Sequence, residues 1–245
     1  MSISKSFPIL LLLSLGLGLS GRLTHVQAQT LPLADNLTSL LSPEGQALLQ
    51  GSDAQADYVP LSSHFSTQQN PAFCGVASMV MVLNALNIPA PIASEWNRAY
   101  FTQENLLNEE TATIIPRERI ARMGLTLAEL AGILEQYPVN AEIFHGEDVS
   151  LEQFRELVAT NLAESNNFVL VNYLRRAIAQ ERGGHISPIA AYDADTDQFL
   201  ILDVSRYKYP PVWVSASELW NATNTIDSVS GKTRGFLLIS PTANL

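Results

Sequence analysis

Apolar residues recur along this chain in three rhythms, and each predicts a different kind of element. Residues 7–20 form an unbroken Leu-rich run behind Lys5. At about 14 residues the run falls short of the roughly 20 that cross a bilayer. Val26-Gln-Ala28 adds the small-residue pattern of a cleavage site, so residues 1–28 read as a signal peptide removed after Ala28. From residue 74 the spacing turns helical, with Val76, Met79, Val80, Leu83 and Leu86 three and four apart. Thr126-Leu-Ala-Glu129 and Ser150-Leu-Glu-Gln153 are capping boxes, each ahead of a helical stripe: Leu127, Leu130, Ala131 and Leu134, then Phe154, Leu157, Val158 and Leu162. Ser42-Pro-Glu44 opens a shorter helix. Residues 89–122 follow neither period and predict irregular chain on the surface.

Beyond residue 166 the runs shorten to strand length: 168–173, then 186–192 and 198–204 around an Asp-rich turn, then 212–214 and 236–240. Ser215 with Glu218 starts a helix after the fourth run. Helices first and strands later predict an α+β fold. A helical N-terminal lobe reaches to about residue 165 and an antiparallel β-sheet lobe begins at about 166, in one domain over 29–245.

Charge narrows the function. The 245 residues carry 24 acids against 14 bases, a net charge of −10, without the basic footprint that a nucleic-acid partner requires. Losing residues 1–28 removes Lys5 and Arg22, leaving 12 bases and a balance of −12. The mature protein is then expected to be exported, periplasmic or secreted, and free of the membrane. Its single cysteine excludes an intramolecular disulfide framework and a Cys-rich metal site. An unpaired thiol in an oxidising compartment leaves three readings: a bridge in a homodimer, a buried thiol or a reactive one.

Cys74 stands where a helix begins, and the positive end of that helix favours a thiolate. Gly75 beside it would let a substrate backbone come close. Of the histidines left after cleavage, His64 and His145 read as loop residues. His185 follows Gly183-Gly184 and opens an apolar strand, which suits a general base aimed into a cleft. Asp203 ends the run Phe199-Leu-Ile-Leu202; a buried carboxylate needs a partner, and His185 is the one at hand. Cys, His and Asp in that order match papain-like enzymes. Gln68 lies six residues before Cys74, as the oxyanion glutamine of those enzymes does; Gln69 is its rival.

Three stretches together resemble the phytochelatin synthases: Gln69-Asn-Pro-Ala-Phe-Cys-Gly75 continuing to Leu86, Gly184-His-Ile-Ser-Pro-Ile-Ala-Ala-Tyr192, and Leu202-Asp-Val-Ser-Arg-Tyr-Lys-Tyr-Pro-Pro-Val-Trp213. The resemblance spans roughly residues 61–240. It implies a papain-like fold, a triad of Cys74, His185 and Asp203, and Gln68 in the oxyanion hole. It also implies glutathione and γ-Glu-Cys peptides as partners, with cleavage of the Cys–Gly bond and transfer of γ-Glu-Cys to water or to a second glutathione. The chain lacks the Cys-rich C-terminal region of the plant enzymes and resembles the short bacterial form, whose members favour hydrolysis. No cofactor is needed for this chemistry. Cadmium or zinc bound as a glutathione thiolate is the activator the family implies, with no fixed metal site. Asp193, Asp195 and Asp197 lack the glycine and distal glutamate of a calcium loop.

An anionic substrate on an acidic protein needs local cations. Arg175 and Arg234 are the expected substrate-facing arginines, with Asn172 and Gly184 beside them. Two readings from other classes remain at this stage: an exported cysteine peptidase acting on a leader or cell-wall peptide, and a non-catalytic binder of thiols or metals.

Overall fold

The computed structural model describes residues 29–242; the expected signal segment lies outside them. The first half of the chain runs β1 (Thr38–Ser39), α1 (Pro43–Gly51), α2 (Tyr58–Ser63), α3 (Cys74–Ala85), β2 (Ile92–Ala93), β3 (Arg98–Ala99), α4 (Glu109–Ala112), α5 (Arg117–Met123) and α6 (Leu127–Leu134). It continues with β4 (Val139–His145), α7 (Leu151–Ala163), β5 (Phe168–Leu174), β6 (Gly184–Asp193), β7 (Gln198–Ile201), β8 (Val212–Ser215), α8 (Ala216–Thr223) and β9 (Gly235–Pro241). Helices and antiparallel strands combine as an α+β fold. Both capping boxes form, Thr126 with Glu129 on α6 and Ser150 with Gln153 on α7. Each such cap contributes about 1 kcal/mol to its helix.

Seven strands make one antiparallel sheet in the order β1-β8-β7-β6-β5-β9-β4. Its edges come from the half of the chain expected to be helical. β4 was legible in principle, because Val139 and Ala141 are buried while Asn140 and Glu142 are exposed, the period of a strand with one covered face. The two-residue β1 carries too little pattern to read. Residues 89–122 hold the β2–β3 ribbon and two short helices.

Alternation along the strands splits the core into two layers. Leu170, Ile186, Leu200, Trp213 and Leu237 pack with α3 and α6 on one face. Val169, Val171, Ile189, Phe199 and Phe236 pack with Phe154 and Val158 of α7 and Leu219 of α8 on the other. Helix α3 is buried all round from Cys74 to Asn84, as a central helix must be. Ser78 pins it to the sheet, its hydroxyl 2.8 Å from the Cys74 carbonyl oxygen and 3.2 Å from that of Ile186. A Cβ on Gly75 would meet Leu125, Leu130 and Ile186 at 3.0 to 3.3 Å. The missing side chain therefore lets α3 seat against its neighbours; the room expected there for a substrate is taken by core.

Asp57 precedes α2 but caps nothing, and both carboxylate oxygens are buried without a partner. Burial pushes its pKa up to about 8. Between its unfolded value near 3.9 and about 8, the folded state holds a proton that the unfolded chain does not, so stability falls as pH rises through that window. Asp57→Asn is expected to stabilise the protein by roughly 4 kcal/mol at pH 7 and by almost nothing at pH 4. Thermal melts at the two pH values check this; an equal gain at both would mean that Asp57 titrates normally.

Candidate active site

Cys74 is the first residue of α3, and backbone N–H bonds hold the loop before it. The Gln68 N–H donates to the Val204 carbonyl (3.0 Å), the Gln69 N–H to the Gln103 side chain (2.9 Å) and the Ala72 N–H to the Asn70 side chain (2.8 Å). His185 arrives from β6 opposite Tyr173 of β5, whose ring meets the imidazole edge-on at 5.7 Å. Asp203 lies two residues past β7 and is fully buried.

These three groups form a row. His185 Nε2 stands 2.9 Å from Asp203 Oδ1, with the Ser187 hydroxyl also 2.9 Å from that nitrogen. Nδ1 is the nitrogen left to face the Cys74 thiol, and the two groups shift each other's titration. Burial pushes the Cys74 thiol up, but the His185 hydrogen bond and charge, the Ile186 backbone and Arg175 outweigh it and bring it below its ordinary value. Burial pushes His185 down, and Asp203 outweighs that and raises it. Burial would raise Asp203 too, yet His185 and Arg175 hold its carboxyl far below the usual range. Both directions favour a thiolate–imidazolium pair, the state that nucleophilic attack with a general acid alongside requires.

The pair opens on a cleft of about 280 Å³, which Asn172, Gly184 and Arg234 also line. Arg234 Nη1 donates to Asn172 Oδ1 at 3.0 Å, and its Nε is buried without a partner. Gly184 makes that approach possible: a Cβ there would sit 2.5 Å from Arg234 Nη1. Asp227 and Arg122 line the same cleft and were missed from sequence. Asp227 lies in a polar loop with no periodicity, and Arg122 is a charge at the end of a short helix. A roomier groove of about 780 Å³ between α7 and the β4–β9 edge holds Asp148, Glu156 and Glu164 but neither thiol nor histidine. Chemistry, not size, selects the smaller one.

Two expected residues sit elsewhere. Arg175 does not line the cleft; it is 4% exposed and grips Asp203 from behind, Nη1 to Oδ2 at 2.7 Å and Nη2 to Oδ1 at 2.9 Å. The expectation of a substrate-facing Arg175 is corrected accordingly: a buried carboxylate claims it first. Gln68 is buried beside the row. Its Oε1 accepts from the Ser205 hydroxyl (2.6 Å), and its Nε2 donates to the Asn70 carbonyl (2.9 Å) and the Tyr207 hydroxyl (3.2 Å). Both amide hydrogens are therefore engaged. His64 bonds the Tyr100 hydroxyl and His145 the Thr233 carbonyl. Asp197 takes Arg155 and Tyr192, and Asp193 takes Thr196.

A thiol at a helix start, paired with an imidazole that a buried carboxylate orients, is a site able to form and resolve an acyl-thioester. The chain belongs to the phytochelatin synthase family, whose sequence model matches residues 28–236. It is 34% identical over 203 residues to the glutathione gamma-glutamylcysteinyltransferase 3 of Lotus japonicus, covering 81% of this chain and 41% of that protein. It is 39% identical over 181 residues to transferase 1 of the same plant, covering 74% and 35%. The corresponding transferase of Schizosaccharomyces pombe is 28% identical over 185 residues, covering 76% and 44%. The chain thus spans about two fifths of the length of the curated relatives it matches.

Alkylation of Cys74 by iodoacetamide is expected to reach half its maximal rate below the pH of about 8.5 typical of a free thiol. In His185→Ala the midpoint is expected to rise above that value, because burial is then opposed by less. Rate against pH for the two proteins checks this; equal midpoints would remove His185 as the partner of the thiol.

Proposed function

We propose that this protein is a glutathione γ-glutamylcysteinyltransferase of papain-like architecture, its catalytic domain over 29–245 exported to the periplasm or beyond after loss of residues 1–28. The observation that carries the reading is the Cys74–His185 pair, oriented by Asp203, at the floor of a cleft that also holds Arg234, Asn172 and Asp227. Membership of the family and the printed names of the relatives support it. Glutathione brings two carboxylates and one ammonium. Arg234, with its unused Nε–H, and Asn172 suit the α-carboxylate of the γ-glutamyl group, while Asp227 suits the neighbouring ammonium.

The Cys74 thiolate attacks the carbonyl carbon between Cys and Gly. His185 gives its proton to the peptide nitrogen as the C–N bond breaks, glycine leaves, and a γ-Glu-Cys thioester remains on Cys74. Neutral His185 then takes a proton from water or from the α-amine of a second glutathione as that group attacks the thioester. The C–S bond breaks, releasing γ-Glu-Cys or (γ-Glu-Cys)₂-Gly and restoring the ion pair. The Cys74 backbone N–H and Gln68 Nε2 are the oxyanion donors in this scheme, Gln68 exchanging its bond to Tyr207 for one to the developing charge. Cadmium or zinc enters as a glutathione thiolate, part of the substrate.

Cys74→Ala is expected to reduce glycine release to background with the fold intact, and Asp203→Asn to reduce it by at least about a hundredfold. Gly184→Ala displaces Arg234 and is expected to raise the KM for glutathione on the order of tenfold, about 1.4 kcal/mol of lost binding. Mass spectrometry of glutathione reactions with and without cadmium measures all three and shows whether γ-Glu-Cys or longer oligomers form. Cleavage of other peptides with none of glutathione would replace the transferase with the peptidase.

A further inference from the structure

Behind the triad lies a fourth buried charge. Arg175 follows the last residue of β5 and meets Asp203 with both arms of its guanidinium. Its Nη1 also donates to Gln180 Oε1, and its carbon lies 5.2 Å from the centroid of the Tyr209 ring. Tyr209 is fixed in turn, its hydroxyl accepting the Glu181 N–H at 2.9 Å. Asp203 Oδ1 therefore takes donors from His185, Arg175 and the Ser205 N–H, and Oδ2 takes Arg175. A carboxylate so placed has no second orientation that keeps its bonds.

The titratable groups around Arg175 are Tyr173 from β5, His185 from β6, Cys74 from α3, and Asp203 and Tyr209 from the segment after β7. Helix α8, packed against residues 175–178, turns its one acid, Glu218, to Asn36 and Ser215. The interior thus holds a row of alternating sign: Cys74 thiolate, His185 imidazolium, Asp203 carboxylate, Arg175 guanidinium. Three of these alone would leave a net negative charge in the core, which burial penalises. The fourth makes the row neutral.

We propose that Arg175 is a positioning residue, locking Asp203 in the orientation that holds His185 and supplying the counter-charge that lets the thiolate–imidazolium pair exist in the core. The inference rests on the thiol chemistry proposed for Cys74 but not on the identity of the acyl donor. It also gives a use to Tyr209, which the proposed chemistry itself leaves idle.

The test uses the full chain with Arg175→Gln and Arg175→Lys, read by the pH dependence of Cys74 alkylation and by the kcat and KM of glycine release. Removing a nearby cation raises the pKa of both partners. Arg175→Gln is expected to move the alkylation midpoint up by about one pH unit or more and to cut kcat about a hundredfold, with KM within about threefold. Arg175→Lys keeps the charge and loses the two-armed grip. Its midpoint is expected within about 0.3 units of the native protein's and its kcat about tenfold down. An unmoved or lowered midpoint in Arg175→Gln, or a raised KM with kcat retained, overturns the proposal. Should Arg175→Gln fail to fold, Arg175→Lys decides, and native kcat in that variant overturns it. If the native protein releases no glycine from glutathione, the transferase reading fails while the alkylation midpoints still decide the role of Arg175.

Discussion

A carboxylate with no exposure to water is the constraint around which this molecule is arranged. Desolvating an unpaired carboxylate costs several kcal/mol even after relaxation, so Asp203 can be buried only where donors meet it. They come from three separate places: the end of β5, the start of β6 and the turn after β7. The antiparallel pairing of β5 with β6 sets Tyr173 opposite His185 and Leu174 opposite Gly184, which brings the residue after β5 and the imidazole to the same carboxylate. The same turn then reaches the loop ahead of the thiol, since Ser205 donates both to Asp203 and, through its hydroxyl, to Gln68. A shift of the β5–β6 register by one residue would part Arg175 and His185 from their common carboxylate.

The thiol depends on a second constraint, the complete burial of α3. A helix that is apolar all round has to run through the middle of the domain, and its first residue is then inside the protein instead of at a wet surface. Burial by itself makes a poor thiolate. For Cys74 the same burial strengthens the pull of His185, the Ile186 backbone and Arg175, which together bring the thiol below its ordinary value. Low dielectric works against the lone charge and for the paired row.

What the sequence showed of this follows from how local each signal is. Both capping boxes, the start of α3 and the apolar strands were legible because residues a few positions apart decide them. Cys74 and His185 were legible because so few residues of their type exist, and Asp203 because a carboxylate closing an apolar run demands a partner. Arg175 was misread for the complementary reason. Its composition-level fate, a cation for an anionic substrate, is the same as that of Arg234, and only the pairing of β5 with β6 separates the two. Gln68 is singled out by its spacing alone, while the partners that occupy its amide come from residues 70, 205 and 207. β1 joins a sheet whose other strands begin a hundred residues later, and Asp227 reaches the cleft on a loop without a repeat. Contacts across such separations leave no periodic trace.

The net charge of −10 poses a difficulty for the anionic substrate proposed above, and the local charges of the cleft bear on it. At physiological ionic strength exposed charges farther than about 8 Å are largely screened, so the excess acids matter little inside a cleft. What a ligand meets there is the local set, in which Arg234 and Arg122 outnumber Asp227. Screening fades with burial, and Arg234 is held among protein atoms, one arm on Asn172 and its Nε–H without a partner. A carboxylate reaching it trades water for a preset donor at little cost in ordering. The charges of the cleft and those of the buried row share a wall, and Cys74 and Asp227 both favour the charged form of Arg234 against its burial.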